Sequence, residues 1–359
     1  MTAAQLTTRE RSLVAVIPGD GVGPEVIAEG VKVLRATGVP IEFEELPWGC
    51  RYFLEQGRMM PLDGLEVLDR YDAIYLGAVG WPSVPDHESL WGLLLPIRKR
   101  FELFANVRPV RLLTGIPCPL AGRQPADVDM LFFRENTEGE YSGTGGRVHA
   151  GTDGELAVEA PVFTRRAIER LARVAFEAAR GRRGALVSVT KSNASRHAYV
   201  LWDEVIADVA GEYADVRMER VLVDAMAARM VLAPASIDVV IASNLFGDIL
   251  TDLGSALAGG MGLGASANVD PARRHPSMFE PVHGSAPDIG GRGIANPIGA
   301  IWSGAMMLEH LGHIDAAQSV IGAIESVVAS GVARTVDLGG KSSTREFGDA
   351  VAVAVSAPQ

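Results

Sequence analysis

Cysteine and positive charge are both scarce in this sequence. The two cysteines, Cys50 and Cys118, lie far apart and outside any CxxC spacing, so neither a disulfide framework nor a zinc site is indicated. Lysine and arginine number 33 against 44 acidic residues, a net charge of −11. Such a surface repels phosphate backbones and acidic lipids, which argues against a nucleic-acid or membrane partner. The composition fits a reducing cytoplasm, and an anionic substrate would require a locally basic pocket.

Long apolar runs are missing as well. The two longest uncharged stretches, residues 253–269 and 293–308, are interrupted by Gly, Ser, Asn or Pro and are too short to span a membrane. Residues 1–11 contain no apolar segment of the kind found in signal peptides, so we expect a frayed tail and a cytoplasmic protein. The 359 residues, 48% hydrophobic and 21% charged, predict one large or two moderate globular domains.

A dinucleotide-binding fingerprint is also absent. Residues 19–24 (GDGVGP) fail the GxGxxG pattern because Pro24 stands at the third glycine position. Residues 262–267 (GLGASA) match the GxGxxA variant, but no strand precedes them and no helical pattern follows. That context gives the fingerprint its function, so a Rossmann fold is not predicted.

Short apolar runs alternate with helical patterns along the chain. A helix is expected to open at Pro24, and another is expected after a Thr164 cap and before Gly181. Strands are predicted at residues 13–17, 73–76, 128–132, 185–189, 221–223 and 237–241. This alternation predicts an α/β fold with helices packed on a largely parallel sheet. By composition, residues 259–264 are the preferred hinge.

Two aspartates are spaced for a divalent cation. Asp248 and Asp252 lie four residues apart, which places both carboxylates on one face of a helix after the loop 243–246. An acidic pair on a solvated helix face is the ordinary alternative. Asp224, at the end of strand 221–223, is a third candidate ligand or a strand-to-helix cap.

Arginine and proton-transfer candidates follow apolar segments. Arg98, Arg108 and Arg134 are candidates to bind the carboxylates of a diacid, since one guanidinium fork holds one carboxylate; surface solvation is the alternative. Tyr141, in a Gly-rich loop, and Lys191, after strand 185–189, are candidates for general acid and base near a dication. Each residue type is individually more often structural.

A polar loop interrupts an apolar region at residues 280–289 and 295–297. Small residues in such loops allow close backbone approach to a cofactor, whereas a plain Ω-loop is the alternative.

Several motifs together resemble the β-decarboxylating dehydrogenases of the isocitrate/isopropylmalate dehydrogenase family. They are residues 19–25 (GDGVGPE), 106–109 (NVRP), 134–141 (RENTEGEY), 248–250 (DIL) and 283–288 (HGSAPD), in family order along the chain. Residues 75–82 (YLGAVGWP), 84–87 (VPDH), 89–92 (SLWG) and 201–204 (LWDE) are similar to the tartrate dehydrogenase/decarboxylase and D-malate dehydrogenase branch.

The resemblance implies roles for the candidate residues. Arg98, Arg108 and Arg134 would bind substrate, Tyr141 and Lys191 would be acid and base, and Mg²⁺ or Mn²⁺ would be held by Asp248, Asp252 and by Asp224, which also lies against the substrate. Lys191 and Asp224 would come from the second subunit of a homodimer. NAD would be bound by His283, Gly284, Ser285, Ala286, Asp288 and Asn296.

The resemblance also implies a two-lobed, isopropylmalate-dehydrogenase-like fold that is not Rossmann. Residues 1–103 and 262–359 would form the cofactor lobe, and residues 104–261 the lobe for substrate, metal and dimerisation. The Asp288 carboxylate favours NAD over NADP because it repels a 2′-phosphate, although Arg292 is near in sequence. Trp91 would narrow the pocket for the C3 substituent or simply belong to the core.

The expected activity is oxidation with β-decarboxylation of D-malate or tartrate. A 3-isopropylmalate dehydrogenase is the alternative within the family. A catalytically silent regulatory subunit is the alternative of another class, but such subunits lack part of the acid, base and metal set that is complete here.

Overall fold

A computed structural model describes residues 11–357, so the expected N-terminal tail lies almost wholly outside the described residues. The strands in chain order are β1 Ser12–Ile17, β2 Ile41–Glu45, β3 Ala73–Leu76, β4 Ala105–Arg111, β5 Asp129–Glu135, β6 Gly139–Val148, β7 Leu156–Val162, β8 Ala185–Thr190, β9 Arg217–Leu222, β10 Val239–Ala242, β11 Ala265–Val269 and β12 Ser277–Pro281. The α-helices are α1 Gly23–Ala36, α2 Cys50–Gln56, α3 Gly64–Leu68, α4 Asp86–Ser89, α5 Leu95–Arg100, α6 Arg165–Arg180, α7 Ala198–Ala210, α8 Val223–Leu232, α9 Asn244–Leu257, α10 Ile298–His310, α11 Ile314–Ser330 and α12 Thr344–Ser356.

The chain divides into two compact units. The first holds the described residues up to Pro96 and those from Arg274 onward, and the second holds Ile97–Arg273. These divisions differ by several residues from the lobe limits expected at 103/104 and 261/262, and the Gly-rich stretch 259–264 lies inside the second unit. Which unit binds the cofactor and which forms a dimer stays a prediction.

The first unit is built on parallel strands in the order β2-β1-β3-β12. Helix α1 contacts α10 and α12, and α10 also packs on β12. Tyr75 of β3 is fully buried and its hydroxyl donates to the Ala300 carbonyl of α10 at 2.6 Å, which satisfies its polar group. Strand β12 is buried along its whole length, and its last two residues, Glu280 and Pro281, are the first two of the polar loop expected from the sequence.

The second unit has strands in the order β11-β4-β5-β10-β8-β9. Strands β5, β10, β8 and β9 run parallel, whereas β4 lies antiparallel to both β11 and β5. The β4–β5 register opposes Arg108 to Phe132 and Asn106 to Arg134. Side chains of residues two apart share a face of a strand, so both arginines project from the same face. A separate antiparallel hairpin is formed by β6 and β7.

Helix α6 shows how the sequence pattern produces the core of this unit. Its N-cap is Thr164, whose hydroxyl accepts from the Ala167 amide, as expected. The apolar stripe predicted for it is buried, namely Ile168, Leu171, Ala172, Ala175, Phe176 and Ala179. These residues pack against β5, β8, β10 and α7. The expected α/β fold with a mostly parallel sheet flanked by helices is confirmed.

Three local expectations were wrong. The strand expected at 221–223 ends at Leu222, so Asp224 lies in the first turn of α8 and not at a strand end. The loop expected at 243–246 is the start of α9, with Ser243 as its N-cap. Tyr141 belongs to strand β6 and not to a loop, because the glycines around it lie within the β6–β7 hairpin.

Within residues 11–357, no helix combines the length and the apolar character that a membrane crossing requires. This agrees with the interrupted uncharged stretches in the sequence, of which residues 298–308 lie in α10.

Candidate active site

Helix α9 places the two aspartates predicted to bind a cation. Strand β10 ends at Ala242, and Ser243 then caps the helix with its hydroxyl, which accepts from the Phe246 amide at 3.5 Å. Asp248 and Asp252 follow on one helix face, a turn apart. Gly247 faces Arg134: a Cβ there would lie 2.6 Å from the arginine Cγ, so the missing side chain allows this close approach.

Two of the three predicted substrate arginines converge on Asp248. Arg108 of β4 and Arg134 of β5 are both buried, and each places Nη1 against Oδ1 of Asp248, Arg108 at 3.3 Å and Arg134 in a short contact. Opposite charges at this depth are worth more than at the surface, because water screens them less. The direct contacts of Asp248 with these two arginines, which lie 140 and 114 positions away, were not predicted from the sequence.

Neutral side chains hold the two guanidinium groups. Arg108 donates from Nε to the Asn106 Oδ1 at 2.7 Å and from Nη1 to the Thr251 hydroxyl at 2.7 Å. Asn244 accepts from Nε and Nη2 of Arg134. Asn106, Thr251 and Asn244 were not recognised from the sequence, since nothing local distinguishes them from other buried polar residues.

Arg98, in α5, is also buried, and its charge acts on the same cluster. Burial, followed by the neighbouring Arg108 charge, lowers the pKa of Arg134, and Arg98 adds to that effect. For Asp248, burial opposes ionisation but the charges of Arg134, Arg108 and Arg98 outweigh it, so the pKa of this carboxyl is held below its usual range. The cluster is a concentration of positive charge suited to an anion.

Tyr141 completes the cluster from strand β6. Its hydroxyl donates to Oδ2 of Asp248 at 3.2 Å, and the Arg134 guanidinium lies 5.6 Å from the centre of its ring. Burial, and then the charge of Asp248, raise the pKa of Tyr141. A phenol held protonated beside a basic pocket can donate a proton.

The aspartate pair fits a divalent cation. Desolvation, and then the charge of Asp248, raise the pKa of Asp252, so the two carboxylates resist ionising together. A hard cation would relieve that repulsion, and carboxylate oxygens are the ligands that Mg²⁺ and Mn²⁺ prefer. Among the described residues of a single chain, however, no three acidic, His or Cys side chains gather closely enough to hold a metal. The third predicted ligand is therefore elsewhere.

Lys191 and Asp224 form a separate pair. Lys191 follows β8, and its Nζ contacts Oδ1 of Asp224 in the first turn of α8. The hydrogen bond from Lys191 lowers the pKa of Asp224, whose side chain is 65% exposed. Over the described residues, neither member of this pair has a hydrogen bond or ion pair with Asp248 or Asp252. The predicted base and the third predicted ligand are thus paired with each other and are not bonded to the Asp248 cluster within the described residues.

The predicted cofactor loop lies in the other unit, between β12 and α10. His283 contacts the Gly284 carbonyl through Nδ1 at 2.9 Å, and burial lowers its pKa. Its Nε2 is buried without a hydrogen-bond partner in the part of the chain that the structure describes. Asp288 is exposed at the end of the motif. An orphaned ring nitrogen and an exposed carboxylate in a loop of small residues fit a nucleotide ligand.

The rest of the predicted cofactor set supports that loop. Ser285 and Asn296 are buried, Ala286 has a positive φ of 39°, and Asn296 donates to Asp337 at 2.9 Å while accepting from the Ile298 amide at 3.0 Å. Asn296 therefore fixes the start of α10 as the loop ends.

The glycine motif of residues 19–25 braces the same loop. The Val22 amide donates to the Ser285 carbonyl at 2.8 Å, and a Cβ on Gly21 would lie 1.9 Å from that oxygen. The Glu25 carboxylate accepts from the amides of Gly291 and Gly293, the latter at 2.9 Å. In the sequence these residues were a failed dinucleotide fingerprint and a motif of the family resemblance, and no role was predicted for Glu25.

Several known proteins are similar to this chain over nearly its whole length. A probable tartrate dehydrogenase/decarboxylase from Agrobacterium vitis is 51% identical over 349 residues, which covers 96% of this chain and 97% of the relative. The decarboxylating D-malate dehydrogenase of Escherichia coli is 51% identical over 350 residues, 94% of this chain and 97% of the relative. The solved isocitrate dehydrogenase from Methylococcus capsulatus superimposes with a TM-score of 0.89 at 35% identity and covers 96% of this chain and 100% of that one.

A family model described as isocitrate/isopropylmalate dehydrogenase matches residues 13–351. Dehydrogenases of that family generally use NAD and a divalent metal, and they act on small dicarboxylates. With nearly the whole chain covered, this protein belongs to the isocitrate/isopropylmalate dehydrogenase family of oxidoreductases.

Proposed function

We propose that this chain oxidises and decarboxylates a small 2-hydroxy diacid, D-malate or tartrate, with NAD and either Mg²⁺ or Mn²⁺. The observation that carries the proposal is the convergence of Arg108, Arg134 and Tyr141 on Asp248. Relatives at about half identity named tartrate dehydrogenase/decarboxylase and D-malate dehydrogenase support the choice of substrate.

Substrate binding falls to the three arginines. Arg98, Arg108 and Arg134 hold the carboxylates of the diacid, since each planar fork matches one carboxylate. Two of these forks face Asp248. A substrate carboxylate entering the cluster finds forks already oriented by Asn106, Thr251 and Asn244, which limits the entropy cost of binding.

The metal site is shared between subunits of a homodimer. Asp248 and Asp252 of one chain and Asp224 of the other hold the cation, and Asp224 also lies against the substrate. Support comes from the distribution of groups in one chain, where the exposed Lys191–Asp224 pair is not joined to Asp248. When bound, the cation would supply polarisation of the C2 oxygen, and NAD would supply the acceptor for the hydride from C2.

Proton transfers fall to two residues. Lys191, as a neutral amine, accepts the proton of the C2 hydroxyl as the carbonyl forms. The bond from C3 to its carboxylate then breaks, carbon dioxide leaves, and Tyr141 gives its proton to C3. The raised pKa of Tyr141 keeps that proton in place until the step requires it.

Cofactor choice rests on Asp288. His283, Gly284, Ser285, Ala286, Asp288 and Asn296 bind the adenosine half of NAD, with the exposed Asp288 carboxylate accepting from ribose hydroxyls. A 2′-phosphate would be repelled there, and the exposed Arg292 nearby is the residue that weakens this preference.

Trp91 bears on the choice between diacids. It lies in a π-helical segment, Leu90–Leu94, and is 45% exposed, so the alternative that it is a core residue was wrong. Because the bulky Trp91 side chain is exposed, it is available to occupy the space around C3 of the substrate, which favours a small substituent there. A single methylene changes binding by about 1 to 3 kcal/mol, so discrimination against 3-isopropylmalate is expected to be partial.

The test is NADH formation at fixed Mn²⁺ and NAD with D-malate, tartrate or 3-isopropylmalate, followed by the same series with NADP. We expect turnover with D-malate or tartrate, slower turnover with 3-isopropylmalate and little with NADP. Preference for 3-isopropylmalate would assign the chain to the alternative activity. No turnover with any diacid would indicate a silent subunit, which the complete set of acid, base and ligand residues argues against.

A further inference from the structure

Glu140, directly before Tyr141, connects three elements of the second unit. Its Oε2 accepts from the Leu245 amide at 3.0 Å, in the first turn of α9. Its Oε1 accepts from the Ser243 hydroxyl at 3.0 Å and from the Tyr199 hydroxyl of α7 at 2.6 Å. No part of the expected acid, base or metal set includes it.

The start of α9 is well suited to receive this carboxylate. The first amides of a helix lack intrahelical acceptors, and the helix dipole favours a negative charge beside them. Gly139, with φ at 80°, lets β6 approach the helix, because a Cβ there would come within 3.3 Å of the Asn244 Cβ. Strand β6 is thus fastened to the helix that carries Asp248.

Tyr199 closes the network on its other side. Its hydroxyl lies 2.7 Å from the Ser243 hydroxyl as well as against Glu140, and its ring stacks on Phe246 of α9 at 4.9 Å between centroids. The Glu140 carboxylate accepts from both hydroxyls, which uses both of their protons, so the contact between Tyr199 and Ser243 then carries no hydrogen bond of its own.

Glu140 and Tyr141 are neighbours in the irregular stretch of β6 between Gly139 and Thr144, and both side chains reach α9. Where Glu140 is held therefore determines where Tyr141 lies. Within residues 11–357, the Tyr141 side chain has a hydrogen bond with Asp248 and the Arg134 guanidinium near its ring, and both partners lie on other elements than β6.

We propose that Glu140 is a positioning residue, which ties β6 to the start of α9 and so holds the Tyr141 hydroxyl at Asp248. The inference rests on the proposed function, because it concerns the proton that Tyr141 delivers to C3. Glu140 acts through Tyr141 and leaves the earlier oxidation untouched.

The experiment compares Glu140→Ala with Glu138→Ala in the full-length enzyme, using D-malate, NAD and Mn²⁺. Glu138 is a matched control, since its carboxylate also accepts at a helix start, from the Thr164 amide and hydroxyl before α6, whereas its hydrogen bond with α9 is made by its backbone carbonyl, which the substitution retains. We expect kcat to fall about tenfold in Glu140→Ala and less than about twofold in Glu138→Ala. The KM for NAD should stay constant in both.

Two readouts separate positioning from a general loss of structure. NADH formation in a single turnover should be unchanged in Glu140→Ala, whereas carbon dioxide release should slow. In a Tyr141→Phe background, adding Glu140→Ala should lower kcat less than about twofold, because the residue it positions is gone. The inference would be overturned if Glu140→Ala slowed NADH formation and carbon dioxide release equally. It would also be overturned if Glu140→Ala left kcat unchanged, or lowered kcat by the same factor with and without Tyr141→Phe.

Two further observations keep the test decisive. If Glu140→Ala does not fold, Glu140→Gln carries the same comparison: its amide oxygen still accepts from Leu245 but its NH₂ group faces the two hydroxyls, and an intermediate loss of about threefold is expected. Turnover of the unmodified enzyme is measured first. Its absence with every diacid would overturn the proposed function, whereas an active enzyme indifferent to Glu140 would overturn this inference alone.

Discussion

The amide oxygen of Asn244 accepts two hydrogen bonds from Arg134, from Nε at 3.0 Å and from Nη2 at 2.7 Å. The Asn244 NH₂ group donates to the Glu138 carbonyl at 3.0 Å, which fixes the orientation of the amide. One edge of the guanidinium is thereby held by a neutral group, and Nη1 is left to face Asp248. A single asparagine at the first helical position of α9 thus aims a substrate-binding arginine.

Asn244→Ala should weaken substrate binding more than chemistry. Without this acceptor, Arg134 keeps its contact with Asp248 but loses the hydrogen bonds of Nε and Nη2, and we expect the KM for the diacid to rise about tenfold while kcat changes less than about threefold. Steady-state kinetics measures both constants. The KM for NAD is the internal control, since the predicted cofactor residues lie in the other unit, and an unaltered KM for the diacid would contradict the role given to Asn244.

Lys191→Met should abolish turnover while leaving ligand binding nearly intact. The substitution removes the amine that accepts the hydroxyl proton but keeps an unbranched side chain of similar length. Mn²⁺ binding followed by electron paramagnetic resonance should change less than about twofold. Lys341→Met, at an exposed position of the first unit, is the control for loss of a lysine. Normal turnover of Lys191→Met would refute the assignment.

Mixing inactive variants tests the shared site. If Lys191 serves the neighbouring subunit, a hybrid of Lys191→Met and Asp248→Asn chains has one site with both defects and one intact site. Random reassembly of equal amounts should then recover about a quarter of the normal activity. Asp248→Asn mixed with Asp252→Asn should recover none, because both residues belong to the same half. Equal recovery from the two mixtures would exclude the arrangement.

Glu25→Ala should lower cofactor affinity specifically. Two loop amides, those of Gly291 and Gly293, lose their acceptor, so the loop that carries the NAD residues is less ordered before binding. We expect the Kd for NAD, from calorimetry, to rise about tenfold, with the KM for the diacid changed less than about twofold. Glu66→Ala, on the exposed side of α3, is the matched control. Identical NAD affinity in both variants would count against the bracing role.

The pH dependence of stability should report on Glu135. Burial is the largest influence on this carboxyl and raises its pKa, and its Oε2 has no hydrogen-bond partner among the described residues. The folded chain therefore keeps a proton that the unfolded chain releases, so this contribution is complete at low pH and is lost as pH rises from the ordinary glutamate range through the raised pKa. In urea unfolding, the free energy of unfolding of Glu135→Gln should rise relative to that of the unmodified protein as the pH increases across that window. A difference independent of pH would contradict this assignment.

Helix α6 and strand β3 could be predicted from the sequence because the pattern of apolar residues indicates one type of secondary structure in each. The apolar stripe of α6 and its Thr164 cap are both local signals, and Ala73–Leu76 is a wholly apolar run between turns. Tyr141 was misplaced because glycines next to it resemble a loop, although they occupy a hairpin whose strands carry few large apolar residues. Val223 was read as strand because it is β-branched, whereas it begins α8.

The charged residues of the site could be predicted from the sequence, whereas the residues that hold them in position could not. Charged groups such as Arg134 and Asp248 stand out because burying them requires a partner or a ligand. Glu25, Glu140 and Asn244 act through contacts with residues 59 to 268 positions away, from the Glu140–Tyr199 pair to the Glu25–Gly293 pair. Such contacts leave no periodic trace, so only coordinates reveal them.

The antiparallel register of β4 and β5 limits how the length of residues 105–108 can change. Arg108 opposes Phe132 and Asn106 opposes Arg134, and alternation along a strand keeps both guanidinium groups on one side. Adding or removing one residue between positions 105 and 108 would turn Arg108 to the reverse side of the sheet. This stretch can therefore accept changes of side chain more readily than any insertion or deletion.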